Sequence, residues 1–205
     1  MNTFPDLKAS PQGFGLTTLE RLPIPERDAM SDAQRAAADA IINGPRKALF
    51  GPFVPLLHAP VLMERIGKTG EALRFDGTLP ERIRELAICV VARETGNQFE
   101  WQTHAPLATK AGVSVEAINA LAAGRRPRGL PADEQCAADF VSELMLRHGV
   151  CDETYAEATS CLGEPGTVEL TALVGYFAMV CWIMNVARTP GPSGSTAPGL
   201  TAFPG

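Results

Sequence analysis

The chain has 205 residues, of which 45% are hydrophobic and 20% are charged, a composition typical of a soluble globular protein with a substantial core. Eighteen basic against 23 acidic residues give a net charge of −5, which argues against a nucleic-acid-binding protein. Five cysteines without a Cys-x-x-Cys pair indicate neither a disulfide framework nor a zinc site, and they favour a reducing, cytoplasmic location.

The hydrophobic residues recur at helical spacing, and no alternating stretch of convincing length is present, so the sequence predicts an all-α fold. Residues 1–30 contain four prolines and are predicted to form an irregular arm. Residues 31–188 are predicted to form a single domain, and the Gly-, Pro- and Ser-rich residues 189–205 a flexible tail. Caps, prolines and glycines delimit the predicted helices, which are 31–44, 60–75, 80–94, 98–111, 114–123, 132–148, 153–162 and 168–188.

Residues 170–187 are nearly all apolar and about long enough to span a bilayer. Thr171, Gly175 and Asn185 interrupt the run, and no basic cluster anchors either end. A helix that is apolar on all sides is equally typical of a core or of a subunit interface. We therefore expect no membrane segment, and we expect a homo-oligomer that covers this helix.

Three polar residues are predicted to share one buried site. Glu100 and His104 are four residues apart and therefore lie on one face of a helix, at the head of an apolar stripe. Glu85 opens the apolar run 86–92 on the preceding helix, and a hairpin of the two helices places it against His104. Such groups are costly to bury unless they pair. Taken singly, Glu85 is better explained by an ion pair with Arg82 or Arg84, and His104 by a structural role in the core.

Residues 84–121 resemble the core repeat of the carboxymuconolactone decarboxylase and alkylhydroperoxidase D (AhpD) superfamily. The resemblance is carried by Arg84-Glu85, by Phe99-Glu100-Trp101, by the run from His104 to Ala108 and by the run from Ala111 to Ser114. With similar flanking helices it extends over about residues 32–188. It implies a compact AhpD-like fold, symmetric rings that are commonly trimers or hexamers, and chemistry without metal or other cofactor.

The sequence departs from the peroxidase branch of that superfamily at both thiols. The positions of the Cys-x-x-Cys pair are occupied by Asn97 and Glu100, so a peroxide has no nucleophile there. A carboxylate four residues before the histidine is instead similar to the decarboxylase branch. The resemblance thus implies His104, Glu100 and Glu85 as catalytic residues, with His104 as proton donor.

Four further residues near these three are weaker candidates for contacts with a substrate: Asn97, Trp101, Phe99 and Arg93. Two carboxylates and an imidazole also suit a transition metal, but Glu-x-x-x-His is common on helices and the resembled family works without metal.

The leading hypothesis is a cofactor-independent acid–base enzyme, a decarboxylase or related lyase, that acts on a small organic acid or lactone. The first alternative is a peroxidase-like redox protein that uses Cys89 or Cys181. The second alternative is a non-catalytic protein of the same fold that binds a ligand.

Overall fold

The computed structural model describes residues 19–192 and 199–200, which contain helices and no strand, so the all-α prediction is confirmed. A 3₁₀ turn at Arg27–Ala29 precedes the first helix, and a π-helical turn at Ala72–Asp76 extends the third. The helices are α1 (Asp32–Asn43), α2 (Phe53–Leu56), α3 (Pro60–Glu71), α4 (Glu81–Glu94), α5 (Gln98–Lys110), α6 (Val115–Ala122), α7 (Ala132–Arg147) and α8 (Asp152–Ala187).

The predicted helix starts follow from local side-chain chemistry. Ser31 Oγ accepts a hydrogen bond from the Gln34 backbone N–H, and the Gln34 side chain accepts one from the Ser31 N–H, which closes a capping box at α1. Ser114 Oγ caps α6 with a single hydrogen bond, which it accepts from the Ala117 backbone N–H. Sequence reasoning did not predict the short α2.

Helix α4 forms the centre of the fold and packs against α5, α7 and α8. Residues 86–92 of α4 are all at most 1% exposed. A helix that is apolar on every side in this stretch is stable only when other helices surround it. Any polar side chain on α4 in this region is therefore buried as well, and Glu85 is one.

Gly96 sets the geometry of the α4–α5 hairpin. It has a positive φ of 63°, and the following N–H, that of Asn97, donates to Ala92 O at 2.8 Å. This left-handed cap ends α4 without a long loop, so that α5 begins at once. The tight turn brings the start of α4 and the middle of α5 side by side.

Two separate helices were predicted at 153–162 and 168–188, whereas the structure has one long element, α8, with a break at Gly163. Gly163 has φ 71° and ψ 170°, a conformation that is essentially restricted to glycine, and Pro165 then restarts the helix. The connection is shorter than predicted because one residue is enough to turn the chain.

By length and composition α8 is able to cross a membrane. Of its most apolar 18-residue window, 56% is buried inside the fold. This degree of burial is typical of the core helix of a soluble protein.

The predicted arm and tail fall partly outside the described residues, at 1–18, 193–198 and 201–205. In the described part of the arm, the Arg21 backbone N–H donates to Ala187 O at 2.7 Å. In the tail, Leu200 is buried and exchanges two hydrogen bonds with the Gln98 side chain, at 2.9 and 3.0 Å. The chain is thus attached to α5 at Leu200, while the flexibility of the remaining tail stays a prediction.

Candidate active site

The structure brings Glu85, Glu100 and His104 together. Glu85 Oε2 lies 2.5 Å from His104 Nδ1, and Glu100 Oε2 lies 3.1 Å from His104 Nε2. All three residues are at most 3% exposed. The imidazole is therefore held between two carboxylates, one from α4 and one from the preceding turn of its own helix.

Opposing effects set the pKa of His104. Burial is the largest single influence and lowers this pKa, but hydrogen bonds and charges from Glu100 and Glu85 outweigh it, and the net pKa is raised. For Glu85, burial raises the pKa, but the hydrogen bond and charge of His104, with the charges of Arg74 and Arg84, bring the net pKa below its usual value. These directions favour an imidazolium that donates one N–H to each carboxylate.

Glu100 and His104 line a small cavity of about 40 Å³, whereas Glu85 lies behind the imidazole and does not reach it. Five phenylalanine and tyrosine side chains line the cavity, and one of them, Phe177, meets the His104 ring edge-on at a centroid distance of 5.4 Å. The other lining residues are Arg46, Phe50, Pro52, Phe53, Arg74, Phe99, Thr103, Tyr176 and Val180. A larger groove of about 400 Å³ between α1 and α3 contains none of the three acid–base residues, so we place the site in the smaller cavity.

Two arginines in the cavity wall were missed by sequence reasoning. The guanidinium of Arg46 already has partners within the protein, because Nη1 pairs with Glu71 Oε1 at 2.5 Å and Nη2 donates to Gly67 O at 3.1 Å. Arg74 comes from the π-helical turn, and its Nε is buried without a hydrogen-bond partner among the described residues. Neither position carries a sequence signal, since both reach the site from segments far from 85–104.

Three arginines that are close to the acid–base residues in sequence do not line the cavity: Arg82, Arg84 and Arg93. Arg82 donates a hydrogen bond to Asp133 instead. Arg84 Nε lies 3.7 Å from Glu85 Oε1, where its positive charge stabilises the carboxylate.

Of the four weaker candidates for substrate contacts, only Phe99 lines the cavity. Asn97 caps α5, since Oδ1 accepts the Glu100 N–H at 2.8 Å and Nδ2 donates to Cys181 O and to Asn185 Oδ1. Trp101 is 1% exposed in the hydrophobic core, and Arg93 is buried outside the cavity. Asn97, Trp101 and Arg93 therefore lie outside the cavity. Closeness in sequence does not place side chains on the same face of a helix.

The donor set does not have the arrangement of a metal site. Both ring nitrogens of His104 already face carboxylates, and no group of three or more His, Cys, Asp or Glu side chains in residues 19–192 and 199–200 is placed to hold an ion.

Residues 60–143 match the carboxymuconolactone decarboxylase family. An uncharacterized peroxidase-related protein with an AhpD core, from Ralstonia eutropha JMP134, has a similar structure, with a TM-score of 0.70 and 15% identity over 85% of this chain and 93% of that chain. A peroxidase-related protein from Silicibacter sp. TM1040 gives a TM-score of 0.67 and 11% identity over 88% and 97%.

A variant of the debrominase Bmp8 in complex with 2,3,4-tribromopyrrole is also similar, with a TM-score of 0.62 and 12% identity over 84% of this chain and 91% of that chain. No curated protein sequence matches the chain significantly. At identities this low the structural matches establish the shared all-α fold and leave the chemistry of the site open.

Proposed function

We propose that this chain, which belongs to the carboxymuconolactone decarboxylase and AhpD superfamily, is a cofactor-independent acid–base enzyme, a decarboxylase or related lyase, that acts on a small organic acid or lactone. The observation that carries the proposal is the buried imidazole held between two carboxylates, one of which lines a cavity. Groups with shifted pKa values at the edge of a cavity are typical of proton-transfer sites.

In the decarboxylation that we propose, the bond between the carboxyl carbon and its neighbour breaks, and the electron pair stays on the substrate as an enolate. A proton must then reach the carbon. His104 holds the proton to be transferred, because its raised pKa keeps the imidazole protonated to a higher pH than an ordinary histidine. Its Nε2–H points to Glu100, which lines the cavity, so His104 and Glu100 together deliver the proton. Glu85 acts through Nδ1 as a positioning residue.

The redox alternative is less well supported by the structure. Cys89 and Cys181 are fully buried, and burial raises the pKa of both thiols well above the usual value. A thiol that resists ionisation is a poor nucleophile for a peroxide. The likeness to Bmp8 is a reason to include small aromatic compounds among the substrates tested.

A substrate screen with matched carboxylate variants tests the proposal. Small carboxylic acids, lactone acids and halogenated aromatic compounds are incubated with the enzyme, and carbon dioxide release and deuterium incorporation from D₂O are measured. Glu100→Gln keeps the size of the side chain and removes its charge, and we expect it to lower turnover ~10²–10⁴-fold. Glu116→Gln, at an exposed position in the first turn of α6, is the control. Unchanged turnover in Glu100→Gln contradicts the mechanism.

We also propose that the enzyme is a cytoplasmic homo-oligomer, a trimer or hexamer. Helix α8 has an uncharged stripe at alternating spacings of four and three residues, exposed except at the half-buried Met179: Val168, Ala172, Gly175, Met179, Trp182 and Val186. Val168, Trp182 and Val186 are 68, 59 and 64% exposed. A stripe with this spacing fits the packing of one helix against a second copy.

A further inference from the structure

One side of the cavity contains polar groups that nothing in the described chain satisfies. Arg74 Nε and Thr103 Oγ1 are buried without a hydrogen-bond partner among residues 19–192 and 199–200. Both residues line the cavity that Glu100 and His104 share. A buried polar group without a partner typically costs about 1–3 kcal/mol, so two of them in one cavity wall call for an explanation.

Of the two arginines that line this cavity in the described part of the chain, Arg74 is the one without an ion pair. Arg46, the other arginine in the wall, is neutralised by Glu71 and stacks over the Phe53 ring at 4.6 Å. Arg74 forms no ion pair within 4.0 Å among the described residues, and its guanidinium lies 5.4 Å from the centre of the Phe75 ring. A partly buried guanidinium and a hydroxyl in the wall of one cavity can both donate hydrogen bonds to the oxygens of a carboxylate.

The shape of the cavity defines the rest of the ligand. Its volume of about 40 Å³ corresponds to roughly three water molecules, enough for a carboxylate and the carbon next to it. A larger ligand extends beyond this volume, and among the lining residues Phe50 is 41% exposed and its ring stacks on Phe99 at a centroid distance of 6.2 Å. These two rings also line a neighbouring groove of about 420 Å³. The body that follows the carboxylate is therefore apolar or aromatic.

We propose that Arg74 and Thr103 form a carboxylate-binding subsite, which selects small organic acids with an apolar body and holds the reacting carbon against Glu100 and His104. This inference rests on the proposed function for the role of the bound acid, but the binding itself is independent of turnover. Thr103 and His104 line the same small cavity, so a carboxylate held there by the Thr103 hydroxyl is also held near the imidazole.

Calorimetric titration with two acids, acetate and benzoate, and with the corresponding neutral amides tests the subsite. We expect the wild type to bind the acids and to discriminate against acetamide and benzamide. Arg74→Gln is expected to weaken acid binding at least tenfold, and Thr103→Val, a substitution of similar shape, several-fold. Arg128→Gln removes an arginine from an exposed loop and is the matched control. Melting temperatures of all variants verify that they are folded.

The results separate this inference from the proposed function. Glu100→Gln is expected to lose turnover but to keep acid binding, because it removes negative charge from the cavity without touching Arg74. Acid binding that is lost in Arg74→Gln supports the subsite whether or not any acid is turned over. Equal affinity of wild type and Arg74→Gln for the acids, equal affinity of the wild type for acids and amides, or no acid binding by the wild type overturns it.

Discussion

Glu85 and His104 are 19 residues apart in sequence, yet Glu85 Oε2 lies 2.5 Å from His104 Nδ1 in the interior of the protein. The tight turn at Gly96 makes this contact between successive helices possible. A buried carboxylate and a buried imidazole are each costly alone, and the pair is stable because each neutralises the other. The contact therefore links the stability of the fold to the protonation of the site.

We expect the free energy of unfolding to depend on pH through this pair. The pKa of His104 is raised above 6.5, so its contribution is complete below pH 6.5 and is lost as the pH rises through the raised value. The pKa of Glu85 is lowered below 4.5, so its contribution is complete above pH 4.5 and is lost as the pH falls through the lowered value. Denaturation at a series of pH values measures this dependence. The pair should contribute most to the free energy of unfolding between pH 4.5 and pH 6.5, where both contributions are complete.

Glu85→Gln should reduce both pH-dependent changes and destabilise the protein by about 1–3 kcal/mol, since a neutral amide replaces a charged acceptor. Glu116→Gln, on an exposed helical turn, should leave the pH profile unchanged. An unchanged profile in Glu85→Gln means that the pair does not control stability.

Titration of His104 by NMR tests the electrostatics directly. Because both carboxylates raise the pKa of His104, the imidazolium should persist to a higher pH than the ordinary histidine value of 6.5 allows. Glu100→Gln and Glu85→Gln should each lower the pKa of His104. A pKa that does not respond to either substitution contradicts the arrangement of one imidazole between two charged carboxylates.

The sequence is sufficient to predict that Glu85, Glu100 and His104 lie together, but not which other residues line the cavity. Glu100 and His104 lie on one helical turn, and the short loop before them determines the position of Glu85, so local periodicity was enough. Arg46, Arg74 and Tyr176 reach the cavity from other segments, and only tertiary packing brings them there. The sequence also predicts a substrate contact for Asn97, whereas in the structure its side chain caps α5.

Gly70→Ala is expected to disturb the cavity from outside the acid–base residues. A Cβ at Gly70 would lie 2.2 Å from Tyr176 Oη and 3.1 Å from Arg46 Nη2, and both of those side chains line the cavity. Overpacking of this kind typically costs about 1–3 kcal/mol. Thermal melting measures the effect on stability, and the affinity for benzoate measures the effect on the cavity.

Gly67→Ala is the matched control one turn earlier on α3. There the nearest atom to a new Cβ is Ile41 Cδ1 at 3.4 Å, an ordinary van der Waals contact. Because alanine favours the helix by about 1 kcal/mol over glycine, we expect this variant to be at least as stable as the wild type. Equal stability of the two variants would show that Tyr176 and Arg46 move aside without cost.

Consumption of hydrogen peroxide with a thiol reductant should be negligible. Burial raises the pKa of Cys89 and Cys181 well above its usual value, so neither provides a thiolate near neutral pH. Cys151→Ser tests the contribution of an exposed thiol for comparison. Robust turnover that is lost in Cys89→Ser, and kept in Cys151→Ser, would favour the redox alternative over acid–base chemistry.

Trp182→Arg should dissociate the proposed oligomer. Trp182 is the largest side chain of the stripe on α8 and is 59% exposed, and a charge buried between two copies of this helix would lack a partner. Leu146→Arg, at a 74% exposed position near the end of α7, is the control for the effect of a new charge on an apolar surface residue. We expect light scattering after size-exclusion chromatography to give a multiple of the chain mass for the wild type and for Leu146→Arg, and a smaller mass for Trp182→Arg. A wild type that is monomeric without detergent at micromolar concentration rules out α8 as a subunit interface, because its apolar stripe would then be stable in water on its own.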